Sequence, residues 1–338
     1  MSEVAEALSL IRKVVCLPLG RNCHYKEWQF FQLLAEMSCL NAFAEGVSNA
    51  FRGVLPQADD LFYHVRKLGV SQVQASFDRL MKRNLVLAKR LGLLRKPVHV
   101  AVDFTQDPFY GKPNGFIRGG KEKGGTHWGV HYLTASVVEN GQRFVIAALP
   151  FGPLDAPADV VERLLASCKT LVRIECVLMD RGFFTEAIVS LLQRQRFDYV
   201  MPAVRNKKIA ALERGVTAFP ATVHTKLKGV SIKLFFVKEG DDVLVYCTSL
   251  QCWRNKIVEY YAQRWGIETS YRVTDGLQAK TCSRVHAIRV FLAYFAIALY
   301  NALQLAKAMT PKSCTSTALS LRLLVISWGV EQGECTPP

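Results

Sequence analysis

VHVAVDF, residues 98–104, is the stretch on which the fold of this 338-residue chain turns. Its β-branched and apolar residues alternate after Pro97, which predicts a strand, and Asp103 stands at the strand's end. Downstream, GVHYLTASVVENG (129–141) and QRFVIAALPFG (142–152) predict two more strands joined at Asn140-Gly141, a dipeptide suited to a hairpin turn. A helix begins at Asp155 or Ala156 and reaches about Leu171. RIECVLMD (173–180) predicts a strand ending on Asp180, FTEAIVSLLQRQR (184–196) a helix, and FDYVMPAV (197–204) another strand.

Three antiparallel strands followed by alternating helices and strands is the order of the ribonuclease H-like fold. The expected class is therefore α/β: a mixed five-stranded sheet with flanking helices. In that topology the first and fourth strands are neighbours, so Asp103 and Asp180 face each other. Two carboxylates so placed repel, and they become stable together around a shared divalent cation. Oxygen ligands of this kind suit Mg²⁺ or Mn²⁺. Placement alone leaves a second account open, two unrelated acids capping loops.

Residues about 205 to 250 break the alternation. VSIKLFFV (230–237), Asp241-Asp242 and VLVYCTS (243–249) predict a β-rich insertion. Residues 1–95 look helical throughout. Asp59-Asp60 opens a helix to Lys67, Leu68-Gly69-Val70 turns, and Ser71 caps a second helix to about Leu94. That is the outline of a helix-turn-helix, which any helical hairpin shares. The expected organisation is a helical region at 1–95, an α/β domain at 96–310 and a C-terminal tail at 311–338.

The net charge is +15, carried in short groups such as Arg66-Lys67, Lys82-Arg83, Lys89-Arg90, Arg95-Lys96 and Lys207-Lys208. Such an excess favours an acidic polymer or an anionic membrane surface as partner. Charge spread over folded segments fits a grip on nucleic-acid phosphates; a merely basic protein is the plainer account. The ten cysteines include no CxxC pair, and Met1–Leu10 carries no signal-peptide pattern, so the thiols are expected to be reduced and mostly buried in a cytoplasmic protein. Cys16, Cys23, His24 and Cys39 fit no usual zinc spacing.

Val290 to Ala306 is nearly all apolar, yet it is short for a membrane span and holds Asn301 and Gln304. A buried core helix is expected there, and no membrane partner. GFIRGGK (115–121) approaches a phosphate-cradling loop, but Glu122 stands where Ser or Thr is needed. With Lys112, Arg118, Lys121 and Lys123, this stretch is expected to be a mobile basic loop. His127 and His131 fall on one face of a continuous strand, where packing or hydrogen bonding is a commoner role than metal binding.

A third acid can come from the helix expected from Arg254 to about Asp275. Tyr261, Arg264, Glu268, Arg272 and Asp275 are spaced by three, four, four and three residues, which puts them on one helical face. A face so polar is either a solvated, salt-bridged surface or part of a site.

YAQRWGIETSYR (261–272) resembles the signature of DDE-type insertion-sequence transposases of bacteria and archaea. There a Tyr, two residues, an Arg, three residues, a Glu, six residues and a Lys recur. Tyr261, Arg264 and Glu268 match; Asp275 stands in the Lys position, where Arg272 or Lys280 would have to substitute. AVDFTQDPFYG (101–111) and VLMDRGFF (177–184) resemble the family's first and second acidic motifs, and SRVHAIRVFLAYFAIALYNAL (283–303) resembles its C-terminal buried helix. The resemblance spans residues 97 to 307.

The resemblance implies a catalytic domain at 96–310; for residues 1–95 the helix-turn-helix outline leaves two accounts, DNA-end binding and a plain helical scaffold. Asp103, Asp180 and Glu268 would be the catalytic ligands of two Mg²⁺ or Mn²⁺ ions. Tyr261, Arg264 and Arg272 would contact DNA, and Lys207, Lys208, Lys226 and Lys228 would line its path or stand as solvated surface. The partners implied are double-stranded DNA, as terminal inverted repeats and as target, and a second copy of the chain in a homodimer on chromosomal DNA. Trp265 is expected in the core rather than stacked on an unpaired base, and Asp107 as a loop cap before Pro108. A DNA-binding relative without cleavage and a nuclease that only hydrolyses remain as alternative functions.

Overall fold

Apolar residues at every position from Val98 to Val102 except His99 make the first half of β1 (Val98–Pro108) fit for burial on both faces. The computed structural model describes residues 11–13, 16–138, 141, 143–251 and 254–309. The expected tail at 311–338, the segment Met1–Leu10 and Asn140 of the expected hairpin turn lie outside the described residues. The chain divides into a sheet unit, Lys96–Thr105 with Tyr132–Glu268, and a helical unit holding residues up to Arg95, Gln106–His131 and those from Thr269 on.

The sheet unit contains β1 to Thr105, β3 (Thr126–Val137) from Tyr132, β4 (Phe144–Phe151), β5 (Ile174–Met179), β6 (Tyr199–Pro202), β7 (Ala221–Leu227), β8 (Val230–Glu239) and β9 (Asp242–Thr248). β4 pairs with β3, and from β3 the order runs β1, β5, β6, β9, β8, β7. β1 and β5 are parallel, as are β5 and β6; β6–β9, β9–β8 and β8–β7 are antiparallel. The result is a large mixed sheet with helices, as the alternating pattern requires.

α5 (Pro157–Leu171) precedes β5 and packs on β4 through Val160, Val161, Leu164, Leu165 and Cys168. Pro157 suits its first turn, where a backbone N–H would have no helical partner. α6 (Glu186–Arg194) starts at Thr185, whose hydroxyl accepts the Ile188 N–H. α7 (Lys207–Arg214) is capped in the same way by Asn206, which accepts from Ile209 at 2.9 Å. The pattern of residues 205–250 had not predicted α7 or β7. β7 alternates half-buried and exposed residues and is largely polar, so its sequence reads as a loop until β8 pairs with it.

The helical unit contains α1 (Glu27–Cys39), α2 (Ala44–Ala50), α3 (Ala58–Arg66), α4 (Val70–Arg90) and α10 (His286–Met309). α4 is capped at Gly69, two residues before the expected Ser71. Gln72 reaches back to accept the Gly69 N–H at 2.9 Å. α10 is the apolar helix of residues 290–306, and nearly all of it is buried. It packs on α3 and α4, with Phe77 and Tyr294 stacked at 4.2 Å. A helix apolar all round needs apolar partners, and α4 presents them at Val73, Phe77, Leu80 and Met81.

The expected mobile loop at 111–125 contains β2 (Arg118–Lys123), antiparallel to the start of β3. Gly124 and Gly125, both at positive φ, make the turn between them. His127 is exposed and stands 3.9 Å from Glu122, whereas His131 is buried. Cys39, Cys168, Cys176 and Cys247 are buried, and Cys16 and Cys282 are exposed.

Candidate active site

β1 and β5 run parallel with Val102 opposite Met179, so Asp103 and Asp180 stand side by side; Asp180 follows the last residue of β5, whereas Asp103, expected at its strand's end, lies inside β1, which runs on to Pro108. Asp103 accepts the Phe104 N–H at 2.8 Å. Asp180 leads into a single 3-10 turn, Arg181–Phe183, that closes the strand end. Phe104 and Phe183 stack face to face at 5.0 Å, and Phe151 leans on Phe104 at 4.8 Å. Phe104 and Phe183 tie the two acid-bearing segments together. Both were visible in the sequence, in AVDF and DRGFF, but only as apolar residues beside an acid.

The expected single helix from 254 to 275 is two helices, α8 (Arg254–Gln263) and α9 (Trp265–Leu277), with Arg264 in the turn between them. The ladder there shortens: Arg264 N–H donates to Tyr261 O at 3.0 Å and Ile267 N–H to Arg264 O at 2.9 Å. The turn buries the guanidinium, whose side chain is 7% exposed. Nη2 donates to Glu268 Oε1 at 2.7 Å, Nη1 approaches Asp103 Oδ2 at 3.5 Å, and Nε donates to the Tyr261 hydroxyl at 3.2 Å. Upstream, His99 Nδ1 meets Gln263 Oε1 at 2.7 Å, Tyr260 lies over the His99 ring at 4.0 Å, and the Tyr260 hydroxyl donates to Glu175. These contacts seat the end of α8 over β1 and β5.

The acids feel one another. Burial pushes the Asp103 carboxyl up to about 6; the Phe104 N–H and Arg264 work against the rise, and the charges of Asp180 and Glu268 add to it. Burial also raises the Tyr261 hydroxyl above its ordinary value; Arg264 opposes this, and Asp180 and Asp103 reinforce it. Burial disfavours the charge on Arg264, but Tyr261, Glu268 and Asp103 outweigh that and keep it protonated. Among the described residues, no three His, Cys, Asp or Glu side chains converge closely enough to hold a metal ion as they stand. The positive charge between Asp103 and Glu268 is Arg264.

Arg272 lies exposed on α9 in the helical unit. Lys207 and Lys208 are exposed at the start of α7, where Lys208 donates to the Lys226 carbonyl at 2.7 Å. Trp265 was expected in the core, but the turn at Arg264 rotates it outward and leaves it 62% exposed. Asp107, expected as a loop cap, is the ion-pair partner of Arg289 at 2.8 Å within the helical unit. That pairing could not be read from spacing, because the two residues are far apart in the chain.

A family model described as Transposase DDE domain matches residues 94–301. The chain belongs to the transposase DDE domain family. The match includes Asp103, Asp180 and the Arg264 turn, so the geometry above lies within the family's domain. Among solved structures, this DDE transposase chain is similar to the piggyBac transposase in a synaptic complex with hairpin DNA. The TM-score is 0.61 at 14% identity, covering 100% of this chain and 80% of that one. At that identity the likeness is one of fold. Comparison with curated proteins finds no match.

Proposed function

We propose that this DDE transposase chain binds the ends of a transposable element and catalyses metal-dependent cleavage and strand transfer of double-stranded DNA. The observation that carries the reading is that Arg264 bridges Asp103 and Glu268 in the sheet unit, while the charges of Asp180 and Glu268 both act on the Asp103 carboxyl. The strand order β4, β3, β1, β5, β6 supports a ribonuclease H-like core, with β7–β9 as the β-rich insertion on its β6 edge. The α3–α4 pair is the candidate DNA-end-binding hairpin of residues 1–95.

The donor chemistry fits Mg²⁺ or Mn²⁺. All three side chains offer carboxylate oxygens, and Asp103 is a buried acid with two acids beside it, which a cation relieves. Asp103, Asp180 and Glu268 would hold the two ions. When bound, such a pair of ions supplies electrostatic stabilisation to the attacking and leaving oxygens of phosphoryl transfer. The chain's own residues do the rest. Above pH 6 Asp103 is predominantly ionised and ready to act as a ligand. The Tyr261 hydroxyl, held at its high pKa, stays a neutral hydrogen-bond donor for a phosphate oxygen. Arg264 supplies fixed positive charge where the scissile strand's phosphate would approach. The DNA substrate would be the element's terminal inverted repeats and a target, engaged by two copies of the chain.

The test is incubation of the purified chain with Mg²⁺ and duplex DNA carrying the element's end. Cleavage followed by joining to a second duplex is expected, with Asp103→Ala, Asp180→Ala and Glu268→Ala each abolishing it. Intact cleavage in all three variants overturns the site. A second reading, a DNA-binding relative without cleavage, draws on Arg264 standing as the cation between Asp103 and Glu268. Binding without cleavage would establish that reading, and hydrolysis without joining would make the chain a nuclease.

A further inference from the structure

Asp275 occupies the helix position where the transposase signature places a lysine, and a lysine has come to meet it from another element. Lys123, the last residue of β2, sets its ammonium 2.7 Å from Asp275 Oδ2 and 2.9 Å from the Gln106 carbonyl. All three residues belong to the helical unit. We propose that Lys123 supplies, from the β2–β3 hairpin, the cation that position 275 of α9 lacks, and that Asp275 is a positioning residue holding it for a DNA backbone phosphate. The proposal rests on the reading of this chain as a DNA-acting transposase.

Four observations support this. The Lys123 and Asp275 side chains are 37% and 42% exposed, and an ion pair so open to water adds little to fold stability. What it does is fix a flexible ammonium in place. An ammonium has three N–H donors; Asp275 and Gln106 take two, which leaves one for a phosphate oxygen. The Asp275 end is itself anchored: Asn41 donates to the carbonyls of Asp275 and Gln278 at 3.1 and 2.9 Å. The pair also stands on the wall of a cleft of about 690 Å³ in the helical unit, where Lys280 and Arg284 add exposed positive charge. The cleft's other acid, Asp107, is neutralised by Arg289. The balance of the cleft suits a polyanion.

Fluorescence anisotropy with a labelled blunt-ended DNA duplex, titrated at several salt concentrations, tests the assignment on the full chain. Lys123→Ala should lower affinity roughly tenfold and reduce the salt slope by about one. Asp275→Ala should also weaken binding, although it removes a negative charge; an acid that merely sat near DNA would bind tighter on removal. The double variant Lys123→Ala/Asp275→Lys returns the lysine to the helix and should recover binding to within about threefold of the parent. An unchanged slope in Lys123→Ala, tighter binding by Asp275→Ala, or a double variant no better than Lys123→Ala overturns the assignment while the proposed function stands. A parent chain that does not bind the duplex overturns both.

Discussion

The guanidinium of Arg264 donates to the carboxylate of Glu268 across 2.7 Å, from a turn that interrupts the helix on which both were expected to lie. Its other terminal nitrogen stands 3.5 Å from Asp103. One side chain therefore compensates two of the three acids.

Removing that charge leaves acids facing one another in a largely buried corner. Arg264→Met should destabilise the metal-free chain by about 1–3 kcal/mol, below the range for a fully buried pair because Glu268 is 37% exposed. Mg²⁺ should then raise the melting temperature of Arg264→Met more than that of the parent. Equal Mg²⁺ responses in a thermal melt would refute the account of Arg264 as the resident cation.

Asp103 carries a pH signature. Its carboxyl titrates near 6 in the folded chain, against 3.8 ordinarily. A raised carboxylate pKa means that the folded state binds the extra proton, so stability falls as pH rises from about 4 to about 6, by about 3 kcal/mol at most. Asp103→Asn removes that penalty. In metal-free denaturant titrations it should be more stable than the parent at pH 7 and equal to it near pH 4; equal stabilities at pH 7 would contradict the burial argument.

The Phe104–Phe183 stack joins the two acid-bearing segments. Phe183 is 2% exposed, so Phe183→Ala should cost about 3–5 kcal/mol, and Phe183→Leu about 1–1.5. Urea unfolding measures both. A loss under 1 kcal/mol for the alanine variant would show that the ring is not a structural tie.

Arg289 is buried, and besides Asp107 it donates to the carbonyls of Ser283, Thr281 and Pro108. Arg289→Ala strands a buried carboxylate and three acceptors, and should cost about 3–5 kcal/mol. Asp107→Asn keeps an acceptor and should cost less. Guanidinium titrations of the two variants rank them, and the reverse order would count against the pairing.

Trp265 makes the opposite prediction. At 62% exposed, it should be replaceable by Ala within about 0.5 kcal/mol of stability. The same variant should bind duplexes with unpaired ends more weakly if the indole stacks on a base. A large loss of stability would restore the core role that the sequence had suggested.

Chain order, strand periodicity and the chemistry of side chains were enough to place the start of β1 at VHVAVDF and β5 at RIECVLMD, and to set Asp180 at the end of β5; β1 runs on past Asp103 to Pro108. Those features are local: alternation and branching bias the backbone over a few residues whatever the rest of the chain does. The same local logic located α5, α6 and the buried helix α10. It did not reach β2 or β7, whose polar residues become strands only when a neighbour supplies the hydrogen bonds. Nor did it reach the break at Arg264, because helical spacing alone reads straight through 261–275. The partners of Arg264 and Asp275 were decided by tertiary structure alone. Asp103 is 161 residues from Arg264 and Lys123 is 152 from Asp275. A side chain's charge is written in the sequence; which opposite charge it meets depends on how strands pair and hairpins close, and here that placed a cation among the acids and a lysine against Asp275.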